Sequence, residues 1–197
     1  MKESESAPVD LCLEVLRRLD GAGVLEDLVL VGSWCTHFYN RYFEGKAKLS
    51  ALRTRDMDFL VHRPPRFKNK VLVAERGKNA EATIPVPALG IRAQPLRFLD
   101  FLSRDTIVLN HDGLEIRLPH PASFALHKLI VSGRRAKPEK ADKDLRQGLE
   151  ILDVLSGLGR SSDIKARFED MPAGWRKMVL QALRSAGRAD LEAALKP

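Results

Sequence analysis

Asp56 and Asp58 alternate within Arg55-Asp56-Met57-Asp58-Phe59-Leu60-Val61, and Asp100 lies in Leu96-Arg97-Phe98-Leu99-Asp100-Phe101-Leu102. Residues two apart on a strand project from one face, so a strand here sets two carboxylates side by side. The flanking Phe, Leu and Val residues predict central strands with little solvent, where like charges repel and lose hydration. A divalent cation offsets such charge, and hard oxygen ligands suit Mg2+ or Mn2+. Asp56, Asp58 and Asp100 are therefore candidate catalytic and metal-holding residues. Plainer roles also stand: Asp56 can cap a helix, and Asp58 can pair with Arg53 or Arg55. Asp100 is harder to place without a cation, because an unpaired carboxylate between Phe98 and Leu102 would be destabilising.

Upstream, Leu28-Val29-Leu30-Val31-Gly32-Ser33 reads as a buried strand ending in a small-residue turn. An amphipathic stretch through Trp34, His37, Phe38 and Tyr42 follows. A strand, a tight turn and a helix N-terminus aim backbone N–H groups at an anion. Gly32 lets a phosphate come close to the backbone and Ser33 adds a hydroxyl donor, although the pair also serves as an ordinary strand-to-helix turn.

This order of a hydrophobic strand, Gly-Ser, a spacer and Asp-x-Asp, with a third carboxylate after it, resembles the DNA polymerase β type of nucleotidyltransferase. The long spacer and the Arg53-Thr54-Arg55 lead-in look like the bacterial branch that includes the AbiEii-type toxins. A later block is similar to that branch too. In it a Pro-led helix, His120 to Ser132, carries Lys128, a basic turn at Arg134-Arg135 follows, and Lys143-Asp144-Leu145 begins the next helix.

The resemblance implies an α+β fold, with a polymerase-β-like core of mixed sheet and flanking helices over residues 1–118 and a helical region packed on it over residues 119–197. It also implies transfer of an NMP from an NTP to an acceptor hydroxyl, with release of pyrophosphate by a two-metal mechanism. Asp56 and Asp58 would hold Mg2+ or Mn2+, and Asp100 would share the second metal and help deprotonate the acceptor. Gly32 and Ser33 would grip the outer phosphates, Lys128 would neutralise the triphosphate, and Asp144 would orient basic partners. The acceptor is RNA, a protein or a small molecule. Two other functions fit the same residues, a nucleotide- or nucleic-acid-binding module without turnover and the toxin of a toxin–antitoxin pair, whose antitoxin-like partner would mask the site.

The chain's 197 residues carry a formal charge of +7. They suffice for one domain with a helical appendage, burying on the order of 70% of the unfolded surface. No apolar run approaches the ~20 residues that span a bilayer, and the N-terminus has no apolar signal core. A cytoplasmic protein without membrane contact is expected. Cys12 and Cys35 sit among apolar neighbours and read as small core residues. The five histidines show no ligand spacing, although His127 adjoins Lys128.

Positive charge gathers in two segments, Arg63 to Lys78 and Lys128 to Lys143, and such stretches attract polyanions. Arg66, Lys68 and Lys70 directly follow the Asp56–Asp58 strand and are candidate acceptor-binding residues. A solvated lysine-rich face is the plainer alternative, and no aromatic residues are interleaved to form a stacking platform.

The elements that must position these residues follow from periodicity. Val9, Cys12, Leu13, Leu16 and Leu19 share a helical face that Gly21 and Gly23 end. Short strands are expected over Val71–Ala74 and Ala82–Val86. A hairpin is expected from Thr106–Leu109 and Leu114–Leu118 around Asn110-His111-Asp112-Gly113. From Pro119 the pattern turns helical. Leu145, Leu149, Leu152 and Leu155 form a ridge with Asp144 beside it, and short helices carrying Trp175, Met178, Val179, Leu180 and Leu183 close the chain. From spacing alone, Lys128 and Asp144 are equally a snorkelling lysine and a surface aspartate.

Overall fold

The computed structural model describes residues 6–46, 48–50, 57–61, 84–86, 91–93 and 100–196. Asp56, Arg66, Lys68, Lys70 and the expected Val71–Ala74 strand lie outside them.

The chain is α+β. Helix α1 (Ser6–Gly21) buries Cys12, Leu13 and Leu16, and a short 3-10 turn leads to β1 (Leu28–Val31). Helix α2 (Trp34–Tyr42) follows, then β2 (Asp58–Val61), β3 (Ile84–Val86), β4 (Ile91–Ala93) and α3 (Asp100–Arg104). Strands β5 (Thr106–His111) and β6 (Leu114–Pro119) precede five helices, α4 (Pro121–Ser132), α5 (Pro138–Gly157), α6 (Ser161–Glu169), α7 (Ala173–Ser185) and α8 (Ala189–Leu195). In place of one mixed sheet, the described strands form three antiparallel two-stranded ladders, β1–β2, β3–β4 and β5–β6. β6 also lies beside β1.

The hairpin runs two pairs further than its hydrophobic pattern suggests. Asn110 pairs with Glu115 and His111 with Leu114, leaving Asp112-Gly113 as the turn. Both turn residues have positive φ, 49° and 78°, the conformation a two-residue hairpin turn requires.

Asp100 departs from expectation. It opens the short helix α3 instead of lying inside a strand. Phe98, Phe101 and Leu102 recur at i, i+3 and i+4 as well as in an apolar run, so the same residues satisfy a helix. In the helix Phe101 and Leu102 are buried while Asp100 is exposed and bonds Arg104 at 2.7 Å. A carboxylate in the first helical turn also favours the helix dipole. β2 is likewise less enclosed than its sequence suggests, since Phe59 and Leu60 are only half-buried and Asp58 is exposed.

The core is continuous from α1 to α8 and centres on α4, where every residue but Val131 is buried. Helix α5 lays Ile151, Leu152 and Leu155 on it, each fully buried and each contributing about 1.5–3 kcal/mol. Gly148 lets the two helices close. A Cβ there would sit 2.9 Å from the Ala125 carbonyl oxygen and 3.3 Å from the Lys128 Cβ. Tyr39 ties α2 to the end of β6 by donating its hydroxyl to the Pro119 carbonyl at 2.8 Å. Among the described residues no helix is long and apolar enough to cross a membrane.

Candidate active site

β1 is buried along its whole length and delivers the chain to Gly32, whose φ of +76° is open to glycine and strained for other residues. Asp58 pairs with Val31 across the ladder, so its side chain lands over the turn. A Cβ on Gly32 would lie 2.5 Å from the Asp58 Oδ2. Glycine is required twice here, by conformation and by the carboxylate above it. Asp58 makes no hydrogen bond or ion pair with the described residues. Ser33 stands at the N-cap of α2 and spends no side-chain bond on capping, which leaves its hydroxyl beside the helix N-terminus.

Cys35, in the first turn of α2, joins this corner to the later block. Burial pushes its thiol far above the ordinary range, the Lys128 charge pulls it down and the Asp58 charge pushes it up. Both charges therefore act on one buried atom just behind the turn. Cys35 and Cys12 are both buried and free, as small core residues would be.

Lys128 and Asp144 are buried, at 8% and 3% exposure, and bonded at 2.6 Å. Arg135 donates to the other carboxylate oxygen at 2.7 Å. Burial alone would raise the Asp144 carboxyl, but Lys128 and Arg135 outweigh it and hold Asp144 below the usual carboxylate range. Lys128 also stands over the Phe124 ring at 5.3 Å. The antiparallel packing of α4 on α5 creates this cluster, because it sets the last turns of one helix against the first turns of the other. Burial and then Lys128 push the neighbouring His127 down to about 4, so its ring is neutral at ordinary pH.

Two members of the cluster were not singled out by sequence as site residues. Arg135 read as part of a basic turn, and only the fold shows that it shares Asp144. Gln147 is 2% exposed with neither amide atom hydrogen-bonded. Its signal was a polar side chain one turn after Asp144 at a core-facing position.

Gly32 and Asp58 thus meet at one corner beside Ser33, Lys128 and Asp144 meet in a second cluster, and Cys35 feels the charge of Asp58 and of Lys128. Asp100 is engaged with Arg104 on α3, and no hydrogen bond or ion pair among the described residues joins it to Asp58. Among the described residues no three His, Cys, Asp or Glu side chains gather as a metal cluster. Asp58 nonetheless fits a hard cation, being an exposed carboxylate with no protein partner among them. A hollow of about 280 Å³ lies elsewhere, between the 3-10 turn and the hairpin, and mixes Asp20, Glu26 and Glu115 with Arg117.

A family model described as nucleotidyltransferase matches residues 65–170. The match covers more than half of the 197 residues and takes in Asp100, Lys128, Arg135, Asp144 and Gln147, starting just downstream of Asp58. No curated protein and no solved structure matches the chain. A match of that extent, over the buried Lys128–Asp144–Arg135 cluster, settles the family, and the chain belongs to the nucleotidyltransferases.

Proposed function

We propose that the protein moves an NMP from an NTP to an acceptor hydroxyl with release of pyrophosphate, on a polymerase-β-like core nearest the AbiEii-type branch. The observation that carries this reading is the Asp58 carboxylate lying against Gly32 at the start of α2. It puts an acid without a partner among the described residues beside a helix N-terminus and a hydroxyl not spent on capping, the three groups that a metal–triphosphate complex needs.

Asp58, with Asp56 two residues earlier, would hold Mg2+ or Mn2+. Asp100, whose Oδ2 bonds Arg104 while its Oδ1 makes no bond to the described residues, would share the second metal. A bound divalent ion would supply charge neutralisation at the phosphates and a lowered pKa for the acceptor hydroxyl. The chain's own residues do the rest. Ser33 and the N-terminus of α2 bind phosphate oxygens. Lys128 adds positive potential where charge builds on the leaving pyrophosphate. Asp144 acts through Lys128 and Arg135, fixing both cations by short bonds so that neither must reorganise during reaction.

The test is incubation with each labelled NTP, magnesium and total RNA or total protein. Wild type should label one of these acceptors and release pyrophosphate, and Asp58→Ala should do neither while keeping its far-UV spectrum. Wild type that releases no pyrophosphate with any NTP and acceptor overturns the proposal.

A further inference from the structure

The connection from α4 to α5 carries more positive charge than the described residues neutralise. Arg135, Lys137 and Lys140 are exposed and Lys143 is half-buried. Nearby carboxylates are few. Asp142 pairs with Arg146, and Asp144 is shared by Lys128 and Arg135. Glu139 alone remains in the first turn of α5.

The placement is unfavourable for a protein left to itself. Lys137 occupies the N-cap of α5 without a capping bond, and Lys140 sits in the first turn. Acids and small polar residues are favoured at that end, because unpaired N–H groups already make it positive. Lys143 lies next along the same face, where burial and the Lys128, Lys140 and Arg135 charges lower its pKa. Like charges crowded on the positive end of a helix gain from a polyanion and from little else.

We infer that Lys137, Lys140 and Lys143 form a docking ridge for the sugar–phosphate backbone of a nucleic acid. From Lys137 to Lys143 the helix rises about 9 Å. In a nucleic acid helix one strand carries a phosphate about every 3.4 Å of axis, so the ridge spans two or three phosphates of one strand. The ridge ends at the Lys128–Asp144–Arg135 cluster, so a strand laid along it brings its terminal hydroxyl toward the proposed transfer site. Naming this nucleic acid as the acceptor rests on the transfer reading, whereas the docking itself does not.

Binding is measured without NTP, by anisotropy of a short labelled single-stranded RNA across a series of potassium chloride concentrations. Lys137→Glu/Lys140→Glu is compared with Arg17→Glu/Arg18→Glu, which changes net charge equally on α1. The ridge variant should lose roughly tenfold or more in affinity, and its salt slope should be shallower by about 1.4, two contacts at about 0.7 each. The α1 variant should stay within about twofold of wild type. Equal losses in both variants would show that binding follows net charge and overturn the ridge. No RNA binding by wild type at low salt overturns it too. Polyglutamate bound as tightly as RNA with the same variant sensitivity overturns the nucleic-acid assignment in favour of an acidic protein surface. If RNA binds as expected while no NTP is turned over, the transfer reading fails alone.

Discussion

Replacing Gly148 by alanine sets two magnitudes of opposite sign against each other. In an open helix alanine is more stable than glycine by about 1 kcal/mol. At Gly148 the new methyl would lie 2.9 Å from the Ala125 carbonyl oxygen, 3.1 Å from the Leu129 Cδ2 and 3.3 Å from the Lys128 Cβ. The nearest of these is backbone and cannot rotate away, so α4 and α5 must part by about half an ångström. Overpacking of this kind costs about 1–3 kcal/mol, and after the alanine gain the net expectation is a loss of about 0–2 kcal/mol. Gly157 closes the same helix with no atom within 4 Å of its virtual Cβ and serves as the control. Gly157→Ala should be neutral or stabilising by up to about 1 kcal/mol. Urea titrations followed by tryptophan fluorescence compare the two variants, read as midpoint shifts at constant m. Parting the helices also loosens the 2.6 Å bond from Lys128 to Asp144, so nucleotide binding should weaken in Gly148→Ala alone. A Gly148→Ala protein as stable as Gly157→Ala would refute the close-packing argument.

Three further outcomes are expected. Burial drives His120 and His127 down to about 4 from 6.5, so the unfolded chain takes up protons first as pH falls. Stability should therefore drop between about pH 6.5 and pH 4 by up to roughly 3 kcal/mol for each ring, and His127→Gln should remove about half of that slope in urea midpoints. Asp144→Ala strands two cations, one of them buried, and should cost about 3 kcal/mol. Lys128→Met/Asp144→Leu should recover part of that loss, and strict additivity in the double-mutant cycle would rule out the coupling. Gly32→Ala combines a strained φ, worth about 1–2 kcal/mol, with displacement of the Asp58 carboxylate. Its transfer rate should fall more than its stability does, and a wild-type rate would show that the close approach is not functional.

The parts of this fold that could be read from the residues are those set by local signals. β1, Gly32 and α2 are marked by an apolar run, a glycine and an amphipathic period, and the β5–β6 hairpin by its Asp-Gly turn. The Asp100 segment misled because four apolar residues around one aspartate satisfy a two-residue and a three-to-four-residue period alike. β2 was apolar enough for a central strand, yet its burial depends on neighbours that no local pattern reports. The pairing of Lys128 with Asp144 was equally hidden, since spacing placed each beside an apolar stripe without saying which faces meet. The short connection between α4 and α5 decides it, by folding one helix back on the other. Gln147 and the sharing of Asp144 by Arg135 emerge only from that packing.

Glu150 accepts both the backbone N–H and the hydroxyl of Ser50, each at 2.8 Å, across a sequence separation of 100 residues. Asn40 holds the adjacent Leu49 backbone from the other side, through its amide N–H at 3.1 Å and its carbonyl at 2.7 Å. These bonds anchor the chain on its way toward Asp58. On the ribosome, Ser50 is made roughly 5 to 20 s before Glu150 at ordinary elongation rates. During that interval the nascent chain has its Gly32 turn and its aspartates but neither the anchor nor Lys128–Asp144 in place. The order of synthesis thus leaves the segment leading to Asp58 without its far anchor until α5 has been made and has folded onto α4.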